Sequence, residues 1–273
     1  MRVFEGPLRK MTACHESPVS YFLSVDSQTL ALNPLIGRHI QIAASGAIFC
    51  VQCGRNTKKS FQQGFCYPCY QRLLECDLCV IHPERCHSER QACPQDDWAH
   101  SHCHASHVVY LSNTSALKVG VTRVENMPSR WIDQGAIQAQ ALCRVSNRYR
   151  AGVIEVALKK SVYDKTNWRA MLKNTVAPLD FRAVVADFIA RTRADILSAA
   201  DGFLHDLEWL DPVVVTLDYP VMVYPHKVVS CSLDKTPQIS GQLQGIKGQY
   251  LILDTGVMNV RKFSGYEVAI NVL

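Results

Sequence analysis

The chain has 273 residues, 48% of them hydrophobic and 19% charged, which excludes an intrinsically disordered protein and leaves length for two or three domains with real cores. The start, MRVFEGPLRKMTACHESPVS, has no run of about 7–15 apolar residues behind a basic segment, and no stretch approaches the roughly 20 apolar residues of a membrane span. A cytoplasmic protein with no signal peptide and no membrane segment is therefore expected. The net charge of +5 is uneven: residues 1–107 carry +1, residues 108–173 carry +7 and residues 174–273 carry −3. A basic surplus confined to the middle is what a polyanion-binding face requires, although a solvated helix face has the same composition.

In chain order, YFLSVD and GRHIQIAASGAIF alternate apolar and polar residues and read as strands. A Cys/His-rich segment follows over residues 50–107. HVVYLSNTSALKVGVTR then reads as a β-hairpin, and SRWIDQGAIQAQALCRV as a helix running into a strand or turn. RAGVIEVALKKSV has apolar residues at helical spacing, with Glu155 and Lys159 an i,i+4 pair. Residues 178–210 form a long amphipathic pattern, broken near Gly202 and ended by Asp211-Pro212. VVVTLDY, GQYLILD, GVMNVRKF and YEVAINV are short strands. The expected fold is α+β in four parts. Residues 1–107 hold β-strands and a zinc-ribbon region, 108–176 a basic α/β domain, 177–211 a helical segment, and 212–273 a small β-barrel.

Ten of the twelve cysteines lie between Cys50 and Cys143, several as C-x-x-C pairs beside histidines. In a reducing compartment this means metal before disulfide. Cys50, Cys53, Cys66 and Cys69 have the spacing C-x2-C-x12-C-x2-C, two knuckles that complete a closed tetrahedral site, structural and best suited to Zn²⁺. Cys76, Cys79, Cys86, Cys93, Cys103 and His107 offer ligands for one or two more zinc sites, two or three in all. Cys76 and Cys79 are expected to share a metal, and Cys103 with His107 completes that site or joins another with Cys93.

VVY, seven residues, then KVG and an arginine resemble the opening of a GIY-YIG nuclease domain, over roughly residues 108–173. Tyr110 matches the tyrosine of the first triplet and Gly120 the glycine of the second. Arg130, or else Arg123, matches the helix arginine. Glu155 matches the metal-binding glutamate, and Asn167 the asparagine beyond it. Val108 stands where the first triplet has glycine, Lys118 replaces the tyrosine of the second, and the spacing between the triplets is short. The resemblance implies a divalent-metal-dependent endonuclease acting on DNA or RNA. Glu155 would hold Mg²⁺ or Mn²⁺, Tyr110 orient or deprotonate a water, Arg130 clamp the phosphate, and Lys118 add positive charge. Arg123, Arg148, Arg150, Lys159, Lys160 and Arg169 could track a phosphate backbone, with Trp168 for base stacking.

The whole chain also resembles an uncharacterised bacterial family of unknown function, through KVGVTR, RWIDQGA, TNWRAML and GIKGQYLILDTGV. Two alternatives stand beside the nuclease. One is a non-catalytic DNA- or RNA-binding module. The other is a protein-interaction adaptor stiffened by zinc.

Overall fold

The computed structural model describes residues 2–87, 96–162 and 167–273. The strands are β1 (Arg2–Pro7), β2 (Thr12–Cys14), β3 (Ser20–Val25), β4 (Gln28–Ala31), β5 (His39–Ile48), β6 (His107–Asn113), β7 (Leu117–Arg123), β8 (Gln138–Val145), β9 (Glu208–Trp209), β10 (Val215–Thr216), β11 (Gln238–Lys247), β12 (Tyr250–Leu253), β13 (Gly256–Asn259) and β14 (Tyr266–Val272). The helices are α1 (Tyr67–Arg72), α2 (Leu78–Ile81), α3 (Asp96–His102), α4 (Ser129–Asp133), α5 (Arg148–Lys159), α6 (Trp168–Lys173) and α7 (Phe181–Ala199). The fold is mixed α+β, with three sheets among the described residues. No helix among the described residues is long and apolar enough to cross a membrane.

The central sheet has the order β10-β8-β6-β7, with β9 also on β8. Its heart is the expected hairpin, β6 against β7, with Tyr110 opposite Gly120. Every residue of β6 is buried, and consecutive side chains enter different layers because a strand alternates its faces. Val109 and Leu111 pack with Ala151, Ile154 and Leu158 of α5 and with Phe181, Val185 and Phe188 of α7. Tyr110 lies in the other core, with Trp131 and Ile132 of α4. Helix α5 starts where Asn147 accepts the Arg150 amide at 2.9 Å, and α7 where Asp180 accepts that of Ala183 at 3.2 Å, which satisfies amides that a helix start leaves open.

Residues 212–273 do not form the expected barrel. β10 joins the central sheet, and the later strands enter a six-stranded sheet of order β1-β14-β5-β11-β12-β13. β5 stands between β14 and β11, pairing Ile42 with both Ile270 and Ile239. The physical reason is burial: Ile40, Ile42, Ile239, Leu243, Val268 and Ile270 share one core with Tyr21 and Leu23 of the small β2-β3-β4 sheet. The C-terminal strands therefore find their inner partners in the N-terminal segment.

Candidate functional site

The four cysteines of the double knuckle come together. The sulfurs of Cys50, Cys53, Cys66 and Cys69 lie within 4.8 Å of one another, and among the described residues this is the one group of three or more potential ligands so placed. Cys50 and Cys53 flank a turn in which Gly54 takes φ +68° and donates its amide to Cys50 O at 3.0 Å. Cys66 caps α1, and its amide points at Cys50 Sγ, 3.2 Å away. Burial pushes the Cys50 thiol up, but amides of Cys53, Cys66 and Gln52 outweigh it and bring it down to about 6. Burial and the three neighbouring sulfurs push Cys69 up to about 12. A cluster whose members oppose one another's ionisation in this way fits a dication that takes all four as thiolates. The soft, closed donor set can hold a zinc ion and leaves no position for substrate.

The second group of cysteines divides. Cys76 is buried and feels the charge of Cys50, whereas Cys79 feels those of Cys86 and Cys103. The neighbours of Cys76 and Cys79 thus differ, although the sequence reading places both on one metal. Cys93 lies outside the described residues. His107 is fully buried, donates Nδ1–H to Ala105 O at 2.7 Å, and leaves Nε2 with no hydrogen-bond partner. Burial first, with Arg148 and Arg123 beside it, pushes this imidazole down to about 4, so it is neutral with a bare Nε2. The whole segment is strapped to the start of α5. The Arg148 amide donates to Cys103 O at 2.7 Å and its guanidinium to Val80 O. A Cβ at Gly152 would lie 2.5 Å from Pro83 Cβ.

Tyr110 lies on the face of the hairpin away from α7, with α4 and its Arg130, whereas Glu155 belongs to α5, which packs with α7 on the other face. Tyr110 is fully buried, its ring packed edge-on against Trp131 (centroids 5.8 Å apart) and its hydroxyl donating to Gln134 Oε1 at 2.9 Å. A Cβ on Gly120 would lie 2.5 Å from that hydroxyl, so the glycine is what lets the ring cross the neighbouring strand. Burial raises the Tyr110 hydroxyl above its ordinary range, the adjacent Arg130 guanidinium opposes this, and Glu155 adds to it. Tyr110 therefore stays protonated at neutral pH, with its one proton committed to Gln134, and does not act as a base. Glu155 is 8% exposed, and its carboxylate lies 3.4 Å from Lys159 Nζ. Arg148 lies within the field of both Arg130 and Glu155.

Other predicted residues are placed differently. Lys118 sits on β7 opposite Ser112, half-buried at the edge of the central sheet. Asn167 caps α6, accepting the Ala170 amide at 3.2 Å, and its own amide donates to Ser115 Oγ at 2.8 Å. Several basic residues bind acids of this chain. Arg123 pairs with Glu125, Arg150 with Asp206 at 2.9 Å, and Arg144 with Glu208 at 2.9 Å. Lys160 and Arg169 are exposed. Trp168 stacks on Tyr250, with ring centroids 5.8 Å apart, and Arg169 lies 4.4 Å from its ring centre.

Sequence reasoning missed Gln134 and Trp131 as partners of Tyr110, although both lie in the RWIDQGA signature. Neither the curated proteins nor the solved structures compared with the chain give a match. One family profile covers residues 37–268, most of the chain, and by it the chain belongs to the family described as Protein of unknown function (DUF2797).

Proposed function

We propose that this is a zinc-containing nucleic-acid-binding protein whose Tyr110–Arg130–Glu155 site cleaves phosphodiester bonds with the help of a divalent cation. The observation that supports the reading is that Tyr110, beside a glycine that makes room for its ring, lies in the fields of both Arg130 and Glu155, which come from α4 and α5. Glu155 is a single hard oxygen ligand, which fits a hydrated Mg²⁺ or Mn²⁺ held otherwise by water and substrate phosphate. When bound, such an ion supplies charge neutralisation at the phosphoryl oxygens and a more acidic water. The chain's own contributions are distinct. Arg130 offers a planar fork to two phosphate oxygens. Tyr110, kept protonated by burial with its proton donated to Gln134, keeps a hydroxyl lone pair that can accept from a water, while Gln134 and Trp131 fix its ring.

Two metal centres accompany this site in the proposal. The first is the Cys50, Cys53, Cys66 and Cys69 cluster. The second is a zinc centre drawing on Cys79, Cys86 and Cys103, with Cys93 and the bare Nε2 of His107 as candidates for the remaining position. Both are structural, and the second fixes the segment that holds the start of α5.

The test is cleavage of labelled single-stranded, duplex and branched DNA and of structured RNA, with Mg²⁺ or Mn²⁺, by metal-replete protein. Glu155→Ala is expected to lose turnover by at least about 100-fold while keeping wild-type zinc content and circular dichroism. Cleavage that persists in Glu155→Ala removes this site from the chemistry. The second reading, binding without catalysis, is favoured by the ion pair of Glu155 with Lys159. It predicts salt-dependent binding, no turnover, and the same affinity in Glu155→Ala.

A further inference from the structure

No acidic residue occurs between Asp26 and Glu75, and the stretch 50–74 that holds both knuckles carries Arg55, Lys58, Lys59 and Arg72. Arg9 joins them from the N-terminal segment, donating Nη1–H to Val51 O at 3.1 Å. A zinc ion with four thiolates has a net charge of about −2, so these cations leave the ribbon positive. Arg55 and Lys58 are exposed. Among the described residues, neither of their side chains has a hydrogen bond or ion pair.

Three aromatic rings stand on the same ribbon. Between the knuckles the chain turns back, with Phe61 and Phe65 exchanging amide hydrogen bonds of 2.8 and 2.9 Å. Gly64, at φ +136°, packs against Val51 of the first knuckle and accepts the Val51 amide at 2.9 Å, which pins the turn and Phe61 with it. Tyr67 and Tyr70 each follow a cysteine of the second knuckle and lie three residues apart on α1, so they share a helix face. That face meets Phe61, whose ring centre lies 5.3 Å from that of Tyr67 and 5.6 Å from that of Tyr70. Lys59 Nζ lies 5.3 Å from the centre of the Phe61 ring. Tyr67 is nevertheless 50% exposed, and its hydroxyl accepts from Gln71 Nε2 at 2.8 Å. A fixed, exposed ring beside cations without acidic partners offers a π-face and positive charge together. An unpaired nucleobase with its flanking phosphates uses both. A duplex keeps its bases stacked on one another, and an acidic peptide would use the cations and leave the ring idle.

We propose that the Cys50–Arg72 ribbon is a docking surface for single-stranded polynucleotide, in which an unpaired base stacks on Tyr67 and Arg55 and Lys58 hold the phosphates beside it. The proposal deepens the nucleic-acid reading above and rests on it for the class of ligand. It gives the Cys50, Cys53, Cys66 and Cys69 cluster a role in binding, because the metal ligands Cys66 and Cys69 set the positions of the tyrosines that follow them.

The test uses full-length, zinc-replete protein without added Mg²⁺ or Mn²⁺. A labelled single strand, the same sequence as a duplex, and an abasic chain of equal length are titrated by fluorescence anisotropy at several salt concentrations. Tyr67→Ala is expected to weaken single-strand binding about tenfold, with wild-type zinc content and circular dichroism and with duplex binding unchanged. Tyr67→Phe, which keeps the ring and loses only the hydroxyl, binds as wild type does. Replacing both Arg55 and Lys58 by Gln lowers the slope of log affinity against log salt by about 1.4, roughly 0.7 for each lost phosphate contact on a single strand. The abasic chain binds wild type about tenfold more weakly than the single strand, and Tyr67→Ala does not weaken it further. If the single strand binds but Tyr67→Ala matches wild type, or if the abasic chain binds as tightly as the single strand, the stacking surface is overturned and the nucleic-acid reading survives. If wild type binds no polynucleotide, both fall.

Discussion

Tyr110 and Gly120 are a matched pair, and the match can be weighed. The tyrosine fills its space completely, edge-on to Trp131 and bonded to Gln134. An alanine at position 120 would place its Cβ 2.5 Å from the hydroxyl and 2.6 Å from Cζ, so ring or strand must move. Overpacking of this kind costs about 1–3 kcal/mol, and Gly120→Ala is expected to shift the denaturant midpoint by that amount. In a Tyr110→Leu background the same change is expected to cost less than about 1 kcal/mol, because the atoms it strikes are gone. Equal costs in both backgrounds would show that the glycine serves the backbone and not the ring. The hairpin was legible in the sequence from its two apolar runs and polar middle, but its register, which sets Tyr110 opposite Gly120, comes from the fold. The protonation of Tyr110 was not legible either. It depends on Arg130, Glu155 and the surrounding burial, which separate elements deliver.

At the scale of elements, the Cys/His-rich segment is a brace on α5. Arg148 ties the helix start to Cys103 and Val80, and Gly152 admits the backbone of Pro83 and Glu84 into van der Waals contact. If Cys79, Cys86 and Cys103 hold a metal, its loss loosens the helix that carries Glu155, whereas loss of the Cys50 cluster disturbs the segment before it. Wild type is expected to contain two zinc ions per chain by elemental analysis, and Cys50→Ser and Cys79→Ser to contain one each. A wild-type content of one, unchanged in Cys79→Ser, would eliminate the second centre. Spacing alone revealed each C-x-x-C pair, because a knuckle is a local turn. It did not reveal that Cys76 and Cys79 have different neighbours, since that depends on how the intervening turn docks. The charge pattern is incomplete for a related reason. The surplus counted over residues 108–173 is partly neutralised by Asp206 and Glu208, which bind Arg150 and Arg144 from a later segment, and a sum over consecutive residues cannot register such pairs.

On the scale of the molecule, the two ends of the chain form one sheet, and Lys247 lies where that sheet meets the rest. Its side chain is fully buried. Nζ donates to Asn174 Oδ1 at 2.9 Å, from the C-terminus of α6, and lies 5.1 Å and 5.6 Å from the ring centres of Tyr219 and Tyr224. The aromatic faces offset part of the desolvation, but burial prevails and lowers the ammonium from 10.5 to about 8. The consequence for stability has a definite sign. Below about pH 8 both folded and unfolded chains carry this proton, and the folded state bears the full cost of burying the charge. Between about 8 and 10.5 the folded chain has released a proton that the unfolded chain still holds, so the lysine's contribution to stability rises with pH across that window. The full span corresponds to about 3 kcal/mol. Tyrosines and cysteines titrate in the same range, so the measurement must be a difference between two proteins that share them. Lys247→Met keeps the length of the side chain and removes the charge. Relative to that variant, wild type is expected to gain about 2–3 kcal/mol between pH 7 and pH 10 in denaturant unfolding. A constant difference over that range would mean that Lys247 keeps its proton in the folded state, and that the cage of Asn174, Tyr219 and Tyr224 stabilises the cation more than burial opposes it.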